Sequence, residues 1–423
     1  MSSRNDVVIT GMGAVTPLGV GVEPLVSGLR KGRVEIHAAP WTPSPDCEGY
    51  GYWSVVRDFD PTEWMTPQIE SGTDSFSQYA LCAAAQALEH AGLDGLDPLR
   101  TAVVHGTSSG GSRALTRNQH LLDTRGVSAI DRKMMIQVLP NMASAQIAMR
   151  YGLHGPQVTL TSACASALDA IGHARCLLEA GTVDVVLVGA TEGGLAGKGG
   201  MAEGDFVPVQ YQAQSRFGMN SGAPDATMAS LPFDVRRSGI VTGEGSAMFV
   251  METAEHARSR GIEPVLSVRG YASLADSYHP SSPDPTGQWQ ARTMRLAQSD
   301  AGIGAAAVDA LVAHATATPK GDFAEITAIN QVFEDAAPGL PVMSVKGHLG
   351  HPGAASGGLG AIVAASSVAD GIFPHIAGTK ELEPNIRFHV VTEQPHHGTF
   401  DLCQINAFGF GGQNASLVVS APR

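Results

Sequence analysis

Short apolar runs alternate with longer stretches in which apolar residues recur every three or four positions. Residues 7–10, 101–105 and 183–188 are rich in valine, which predicts buried strands. Residues 76–91 and the segment that follows Cys164 carry apolar side chains at helical spacing. Strands that alternate with helices are typical of the α/β class, in which helical layers cover the sheets.

A short pattern of helix end, loop, strand and His-x-Thr turn occurs twice. Ala-Gly-Leu at residues 91–93 leads to Val-Val-His-Gly-Thr at residues 103–107. In the same order, Ala-Gly-Ile at residues 301–303 leads to Val-Ala-His-Ala-Thr at residues 312–316. Two copies are too few for a solenoid, so an old internal duplication is the better interpretation.

A looser match extends this repeat to the segments that carry the candidate chemistry. Residues 158–164 and the helix after them correspond to residues 342–351 and the helix after those. Each segment ends a predicted strand and opens a predicted helix. We therefore expect two similar halves, residues 1–255 and residues 256–423, joined near residues 252–264.

Composition and charge exclude several classes of protein. The 423 residues are 43% hydrophobic and 16% charged, which is enough to bury a large core. The formal net charge of −13 at pH 7 disfavours a nucleic-acid-binding surface. No apolar run reaches the roughly 18 residues of a membrane span, and the polar residues 1–6 lack the pattern of a secretion signal. We expect no membrane association and a cytoplasmic location.

The cysteines, an odd number, show neither the spacing of a metal site nor that of a redox motif. They are Cys47, Cys82, Cys164, Cys176 and Cys403. The pattern disfavours a disulfide framework and a zinc site, so we predict free thiols and no bound metal. Most free cysteines are small buried side chains, and Cys82 and Cys176, inside predicted helices, fit that interpretation.

Cys164 differs from the others because it opens a predicted helix. The apolar positions on one face of this helix are Leu168, Ile171, Ala174 and Leu178. A thiol at the first turn of a helix lies near unpaired backbone N–H groups and the positive end of the helix dipole, which favour the thiolate. Cys164 is thus a candidate nucleophile, with a small buried side chain as the alternative.

His314 and His351 both follow predicted strands, where α/β proteins place their active sites. His314 ends an apolar strand, and His351 lies among glycines in residues 344–351. Neutral imidazoles can donate N–H bonds to a developing oxyanion. A hydrogen-bonded structural histidine is the alternative for each.

Motifs along nearly the whole chain resemble those of the elongating β-ketoacyl-[acyl carrier protein] synthases of the thiolase-like superfamily. Lys346 and His351 keep the five-residue offset of that family. The other matching motifs are residues 7–17, 162–166 (Ser-Ala-Cys-Ala-Ser), 232–234, 243–245, 314–325 and 406–412 (Asn-Ala-Phe-Gly-Phe-Gly-Gly). The resemblance implies an α/β, thiolase-like layered αβαβα fold made of two similar halves.

The resemblance also implies a complete catalytic set. Cys164 corresponds to the residue that carries the acyl group as a thioester. His314 and His351 correspond to the two histidines that help a malonyl thioester lose CO2. Lys346 is expected to pair with Glu325 and so to order the site.

Further residues are assigned to substrate binding by the same resemblance. The backbone N–H groups of the nucleophile and of Phe410 are expected to form an oxyanion hole, and the Phe410 side chain to gate the acyl pocket. Thr316 and Thr318 are expected to contact the phosphopantetheine arm, with turn chemistry as the alternative. Phe408 and Gly409 are expected to border the substrate.

Ser109 falls where related enzymes often carry a bulky apolar residue that limits the acyl pocket across the dimer interface. A small residue at this position predicts room for a longer or unusual acyl chain. Ala315, Ile240 and Gln413 also depart from the family pattern. These departures concern the fit of the substrate more than the chemistry.

The implied reaction is the decarboxylative Claisen condensation of a cysteine-bound acyl group with malonyl-acyl carrier protein, in fatty acid or polyketide, including polyene, chain elongation. No cofactor is expected, because the partner carrier protein bears the phosphopantetheine. The chain is expected to form a homodimer, or a heterodimer with a chain-length-factor-like homologue. Candidates for docking a generally acidic carrier are Arg113, Arg117, Arg125, Arg132 and Lys133.

Three other functions compete with this one. A thiolase would need a second reactive cysteine near the C terminus, where this chain has residues 406–412, and Cys403 is better interpreted as core. A non-enzymatic ketosynthase-like subunit would have lost the cysteine that is kept here. A dinucleotide oxidoreductase is suggested only by Gly11 and Gly13, since the third glycine of its fingerprint is absent.

Overall fold

The computed structural model describes residues 6–40, 51–195 and 208–422, so Cys47 and residues 1–5 lie outside the described residues. The strands are β1 (Val7–Thr16), β2 (Gly19–Val20), β3 (His37–Ala38), β4 (Tyr52–Ser54), β5 (Thr101–Gly106), β6 (Gln157–Leu160), β7 (Val185–Glu192), β8 (Thr242–Gly243), β9 (Gly245–Thr253), β10 (Leu266–Ala275), β11 (Ala310–Val312), β12 (Pro341–Met343), β13 (Ile372–Phe373), β14 (His389–Val390), β15 (His396–His397), β16 (Leu402–Gly409) and β17 (Gln413–Ser420).

The α-helices among the described residues connect these strands or cover them. They are α1 (Val22–Arg30), α2 (Pro67–Gly72), α3 (Ser75–His90), α4 (Ser112–Arg125), α5 (Met134–Val138), α6 (Met142–Tyr151), α7 (Ser166–Glu179), α8 (Val209–Arg216), α9 (Ala254–Ser259), α10 (Gln288–Asp300), α11 (Pro319–Phe333), α12 (Lys346–Leu349) and α13 (Ser356–Asp370). None of them is both long enough and apolar enough to cross a bilayer.

Twelve of the described strands form one mixed sheet in which the same arrangement occurs twice. In the first half the order is β6-β5-β7-β9-β1, and in the second half it is β12-β11-β16-β17-β10. The first three strands of each series are parallel, and the last two are antiparallel to their neighbours. The halves meet where β1 pairs with β10. The internal repeat of the sequence thus corresponds to a repeat of topology, while the boundary at residue 255 stays a prediction.

Helices lie on both sides of each half-sheet. Helix α3 packs on β1 and β9, whereas α10 packs on β10 and β17 and against α11. Between the half-sheets, α7 and α13 contact each other and strands of both halves. Most of the core belongs to this central region, in which Leu168 and Leu359 are fully buried. Replacing such a leucine by alanine costs about 2–5 kcal/mol.

Strand β1 runs to Thr16, six residues beyond the predicted strand at residues 7–10. The reason lies in Gly11 and Gly13. A Cβ atom at either position would lie 2.0 Å from a backbone carbonyl oxygen of α3, that of Ala87 or that of Ala83. The two glycines therefore let α3 approach the strand, and they serve packing instead of nucleotide binding.

Helix α7 follows the predicted pattern closely. Its apolar positions, Leu168, Ile171, Ala174 and Leu178, are fully buried, and Gly181 has a φ of +66° just beyond its end. Cys164 lies in the 3-10 turn Ala163–Ala165, immediately before the helix and not in its first turn. Cys82 and Cys403 are buried as expected, whereas Cys176 is exposed, because the outer face of α7 reaches solvent there.

Candidate active site

Two equivalent turns bring the candidate residues together. The turn after β6 carries Cys164, and the segment after β12 carries His351. Ala163 holds a φ of +50°, a left-handed conformation that costs an alanine about 1–3 kcal/mol. His351 is fixed by its backbone N–H, which donates to the Val241 carbonyl oxygen at 2.6 Å. The backbone of each segment thus fixes the position of the reactive side chain independently of side-chain contacts.

Cys164, His351 and Ser356 form a chain of contacts. The Cys164 Sγ lies 3.1 Å from Nε2 of His351, and the other ring nitrogen, Nδ1, lies 3.2 Å from the Ser356 hydroxyl oxygen. Ser356 also donates to the Gly353 carbonyl oxygen at 2.8 Å. Because a carbonyl only accepts, the Ser356 oxygen is left to accept from Nδ1–H. Nε2 then has a free lone pair directed at the thiol.

His314 has the opposite arrangement. The Lys346 ammonium donates to the His314 carbonyl oxygen and lies 3.5 Å from its Nδ1. A lysine ammonium has no acceptor, so Nδ1 accepts and Nε2 carries the proton. The rings of His314 and His351 are 5.5 Å apart and nearly perpendicular. The ligand atoms of Cys164, His314 and His351 all lie within 4.8 Å of one another, so one small substrate can touch all three.

Glu325 binds the backbone of His314 and Ala315. Its two carboxylate oxygens accept the backbone N–H groups of His314 at 2.8 Å and Ala315 at 2.6 Å, and the Asn406 amide donates to it at 3.3 Å. The predicted direct ion pair between Glu325 and Lys346 is wrong, because no nitrogen–oxygen contact within 4.0 Å joins the two side chains among the described residues. The two charges attract each other across the His314 peptide group, which each of them binds from its own side.

Burial sets the protonation states of the site. Burial raises the pKa of the Cys164 thiol to about 12, although the Lys346 charge lowers it, so the expected thiolate is not favoured in the free site. Burial holds the pKa values of His314 and His351 well below their usual range, and Lys346 lowers both further. The site therefore rests with a thiol and two neutral imidazoles, as predicted for the imidazoles.

The three residues lie at the floor of a cavity of about 630 Å³. Its lining also includes Ser109, Glu192, residues of α8 and the turns around Thr316 and Phe410. The predicted substrate residues Ser109, Thr316, Thr318, Phe408, Gly409 and Phe410 all border it. A cavity of this size, with few polar groups converging on a nucleophile, is typical of a small-molecule or cofactor-arm site.

Sequence profiles of two β-ketoacyl synthase domains match this chain, the N-terminal domain over residues 4–257 and the C-terminal domain over residues 265–380. The chain belongs to the β-ketoacyl synthase family. The 3-oxoacyl-[acyl-carrier-protein] synthase 2 of Synechocystis sp. is 31% identical to it, over 98% of this chain and 97% of its own length. The predicted family and the acyltransferase class of enzyme are thereby confirmed.

Two solved structures share the complete fold of this synthase. The ishigamide ketosynthase/chain length factor matches with a TM-score of 0.89 and 29% identity over 100% of both chains. A β-ketoacyl synthase from Burkholderia phymatum STM815 matches with a TM-score of 0.88 and 27% identity, over 99% of this chain and 100% of that one. The predicted α/β, thiolase-like fold of two similar halves is confirmed.

In this synthase, Gly409 lies against the backbone of the nucleophile, and Phe410 follows it in the turn between β16 and β17. A Cβ on Gly409 would lie 2.8 Å from the Ser162 carbonyl oxygen and 3.1 Å from the Cys164 nitrogen, so only glycine lets the two backbones approach. The Phe410 side chain is half exposed at the β16–β17 turn. Phe408 is buried, with its ring 5.8 Å from that of His314.

Thr316 and Thr318 have a local role as well as their place at the cavity. The Thr318 hydroxyl accepts the Gly321 N–H at 3.1 Å and so caps α11. The Thr316 and Thr318 hydroxyls are 2.9 Å apart. Turn chemistry, the alternative for these residues, is therefore present, while the contact with a phosphopantetheine arm stays a prediction.

Three residues of the site were not predicted from the sequence. The buried Glu192 carboxylate holds the Ser109 hydroxyl at 3.1 Å and the Ala354 N–H at 3.1 Å, behind the nucleophile. Glu192 ends β7, so the strand-end rule that found His314 could also have found it. Asn406 opens the recognised motif at residues 406–412, but no role was predicted for it. No local signal marks Ser356, because only the fold shows that it faces the ring of His351.

Proposed function

We propose that this chain transfers an acyl group from an acyl carrier protein to Cys164 and condenses it with a malonyl group on a second carrier. The observation that carries the proposal is the cluster of one thiol and two imidazoles within 4.8 Å. The name of the Synechocystis relative supports the carrier-bound substrate. The phosphopantetheine arm belongs to the carrier, so no cofactor of the synthase itself takes part.

The first half of the cycle is a thioester exchange. Nε2 of His351 accepts the Cys164 proton as the sulfur attacks the incoming thioester carbonyl. The acyl–sulfur bond to the carrier breaks, and its thiolate leaves with the proton from His351. Cys164 then holds the acyl group, and both imidazoles are neutral again. The Ser356 hydroxyl can donate as well as accept, so it can hydrogen-bond Nδ1 of His351 in either tautomer of the ring.

The second half forms the new carbon–carbon bond. A malonyl thioester loses CO2, and the negative charge that develops on its carbonyl oxygen is stabilised by N–H donation from Nε2 of His314. His351 donates as well once its proton has exchanged, through solvent, from Nδ1 to Nε2. The enolate carbon attacks the acyl carbonyl on Cys164. The tetrahedral intermediate collapses with release of the Cys164 sulfur, which takes up one proton from solvent. The product is a β-ketoacyl thioester that is two carbons longer.

The oxyanion of that intermediate needs fixed donors close to the sulfur. We assign them to the backbone N–H groups of Cys164 and Phe410. The close approach that Gly409 permits supports this assignment. A single donor of this type typically contributes about 2.7–4 kcal/mol to the transition state.

The site cluster could instead hold a metal ion, since one thiolate and two imidazoles suit zinc. The Lys346 ammonium, which contacts His314 directly, places a positive charge beside the cluster and disfavours a dication. A bound metal would also occupy the sulfur that must be acylated. Full acylation of Cys164 in protein treated with a chelator would support the proposal that the site acts without a metal.

The edge of the large sheet supports a subunit contact. Strand β6 is an edge strand, and unpaired edges are templates for pairing with another chain. Exposed apolar side chains in the region of α4 to α6 are Leu115, Leu122, Val127, Met135, Ile136 and Leu139. We propose that this face binds a second ketosynthase-fold chain, either a copy of this one or a chain-length-factor-like homologue. Native mass spectrometry of the protein alone distinguishes the two.

The candidate carrier-docking residues lie in this same stretch of chain. Arg113 pairs with the buried Asp74 at 3.2 Å and is therefore not available to a carrier. Lys133 donates to the Ser71 hydroxyl at 2.6 Å. Since these residues are interspersed with the exposed apolar side chains, we assign the stretch to the subunit contact. Carrier docking and a cytoplasmic location stay predictions from the sequence.

Intact-protein mass spectrometry tests the proposed function. The wild-type protein, incubated with an acyl carrier protein thioester, should gain the mass of one acyl group and lose it again when malonyl carrier is added. Cys164→Ala should gain nothing, whereas the Cys176→Ala control, which removes an exposed thiol, should behave like the wild type. An acyl adduct on Cys164→Ala would refute the assignment of the nucleophile.

A further inference from the structure

Gln290, in the first turn of α10, is buried beside the active-site cavity without a hydrogen-bond partner. Its side chain is 3% exposed, and the residue borders the cavity that leads to Cys164. The amide oxygen is buried and has no hydrogen-bond partner among the described residues. A buried amide left unpaired costs about 1–3 kcal/mol, so its retention calls for a ligand.

The surroundings of α10 connect Gln290 with the residues that support the active site. One turn further along the helix, the Met294 sulfur lies 3.2 Å from the Asn406 amide, which binds Glu325 below His314. At its start, Gly287 packs so closely on α11 that a Cβ would lie 2.7 Å from the Ala324 carbonyl oxygen. Gln290 thus lies on the helix whose next turn contacts the support of His314.

The loop before α10 completes this wall. The Asp276 N–H donates to the Gly412 carbonyl oxygen at 3.0 Å, and the Gly411 N–H donates to the Pro280 carbonyl oxygen at 2.8 Å. These bonds hold the Phe410 turn against the loop that leads into α10. Lys320, exposed at the rim of the same cavity, supplies a positive charge there. The lining of the cavity therefore combines an exposed cation, a buried amide and the thiol.

These three groups match the chemistry of a phosphopantetheine arm, which has a phosphate at one end, two amides along its length and a sulfur at the other end. Resting on the proposed function, we infer that the Gln290 side-chain amide hydrogen-bonds the amide of the arm that lies farther from the sulfur. Gln290 is thereby a substrate-positioning residue of this chain. Because an amide side chain both donates and accepts, it can satisfy either atom of the arm's amide.

The test compares two acyl thioesters that differ in the distal amide. Acyl-pantetheine contains both amides, and the acyl thioester of N-acetylcysteamine contains only the one nearer the sulfur. Acylation of Cys164 is followed by intact-protein mass spectrometry at increasing concentrations of each probe. The variants are Gln290→Met, which keeps the length of the side chain but not its hydrogen bonds, and Gln68→Met, an exposed control on α2 outside the cavity.

For Gln290→Met, the half-saturating concentration of acyl-pantetheine should rise roughly three- to tenfold, as expected for one lost hydrogen bond. Its limiting acylation rate, and its kinetics with the N-acetylcysteamine thioester, should equal those of wild type and Gln68→Met. Equal losses with both probes would indicate a structural role, and no loss with either would indicate an amide satisfied by water; both overturn the inference. If Gln290→Met fails to fold, Gln290→Leu replaces it. Failure of wild type to acylate with any thioester overturns the proposed function and this inference together.

Discussion

The Cys164 sulfur lies 3.1 Å from Nε2 of His351, although 187 positions separate the two residues in the chain. His314 makes no such contact with the sulfur and instead receives Lys346 at its Nδ1. The two imidazoles are therefore unlike in the resting site. One accepts the proton of the thiol, and the other presents an N–H to the substrate.

This difference predicts unequal effects of the two alanine variants. His351→Ala should slow the acylation of Cys164 by roughly 10²-fold or more, because the thiol loses its base. His314→Ala should leave acylation near the wild-type rate but block condensation. Rapid-quench mass spectrometry measures the first step, and the release of 14C-labelled CO2 measures the second. Equal acylation rates for the two variants would contradict the asymmetry.

Lys346 links the reactivity of Cys164 to pH. Burial raises the pKa of Cys164 to about 12, and the Lys346 charge opposes this rise. Burial also lowers the pKa of Lys346 to about 8, so this help is lost as the pH rises through that value. Alkylation of Cys164 by iodoacetamide should therefore still increase above about pH 9, where an ordinary thiol levels off.

The matching variant is Lys346→Met. Without the positive charge, the pKa of Cys164 rises further, the thiolate fraction falls, and alkylation at pH 7 should be slower than in wild type. The exposed Cys176 of the same chain serves as an internal reference, because its alkylation shows that the reagent is active. A variant that is alkylated faster than wild type at pH 7 would show that Lys346 does not stabilise the thiolate.

Glu325 is expected to matter for stability as well as for activity. Glu325→Ala leaves the buried N–H groups of His314 and Ala315 without acceptors, and it should lower the free energy of unfolding by about 2 kcal/mol or more. Glu325→Gln keeps one oxygen acceptor and should lose less. Urea denaturation followed by circular dichroism measures both, with Glu89→Ala on the exposed face of α3 as the control. The idea fails if Glu325→Ala unfolds at the same urea concentration as that control.

Ser109 tests the shape of the acyl pocket. It borders the cavity and donates to Glu192 at 3.1 Å. Ser109→Phe should shift the preference towards shorter acyl chains, because the ring would fill space that the serine leaves open. Ser109→Ala removes the hydroxyl without adding bulk and should keep the wild-type preference. Competition between short and long acyl carriers measures the shift, and identical chain selection by wild type and Ser109→Phe would refute it.

Local patterns predicted the elements well where one face is buried. The α7 positions Leu168 and Leu178 recur at helical spacing and are fully buried. The same reasoning ended β1 too early, since Gly11 and Gly13 resemble turn residues in the sequence. Their function depends on the carbonyl groups of α3, more than 60 positions away, and no local pattern contains that information.

The site was predictable in its members but not in its electrostatics. The strand-end positions and the family motifs named Cys164, His314 and His351, and all three meet. The thiolate expected for Cys164 was wrong, because the helix-end argument counts the favourable dipole and omits the cost of burying the charge. Likewise, the family motifs named Lys346 and Glu325 without showing that the peptide group of His314 lies between them.

The matching strand order of the two halves bears on how such a site can arise. In an assembly of two identical half-length chains, every position would occur twice, and sulfur would have to face sulfur or imidazole face imidazole. Once both copies share one polypeptide, corresponding loops mutate independently. Cys164 and His351 occupy such corresponding loops. Joining the two copies in one chain therefore allows a nucleophile in one loop to face a proton acceptor in the other.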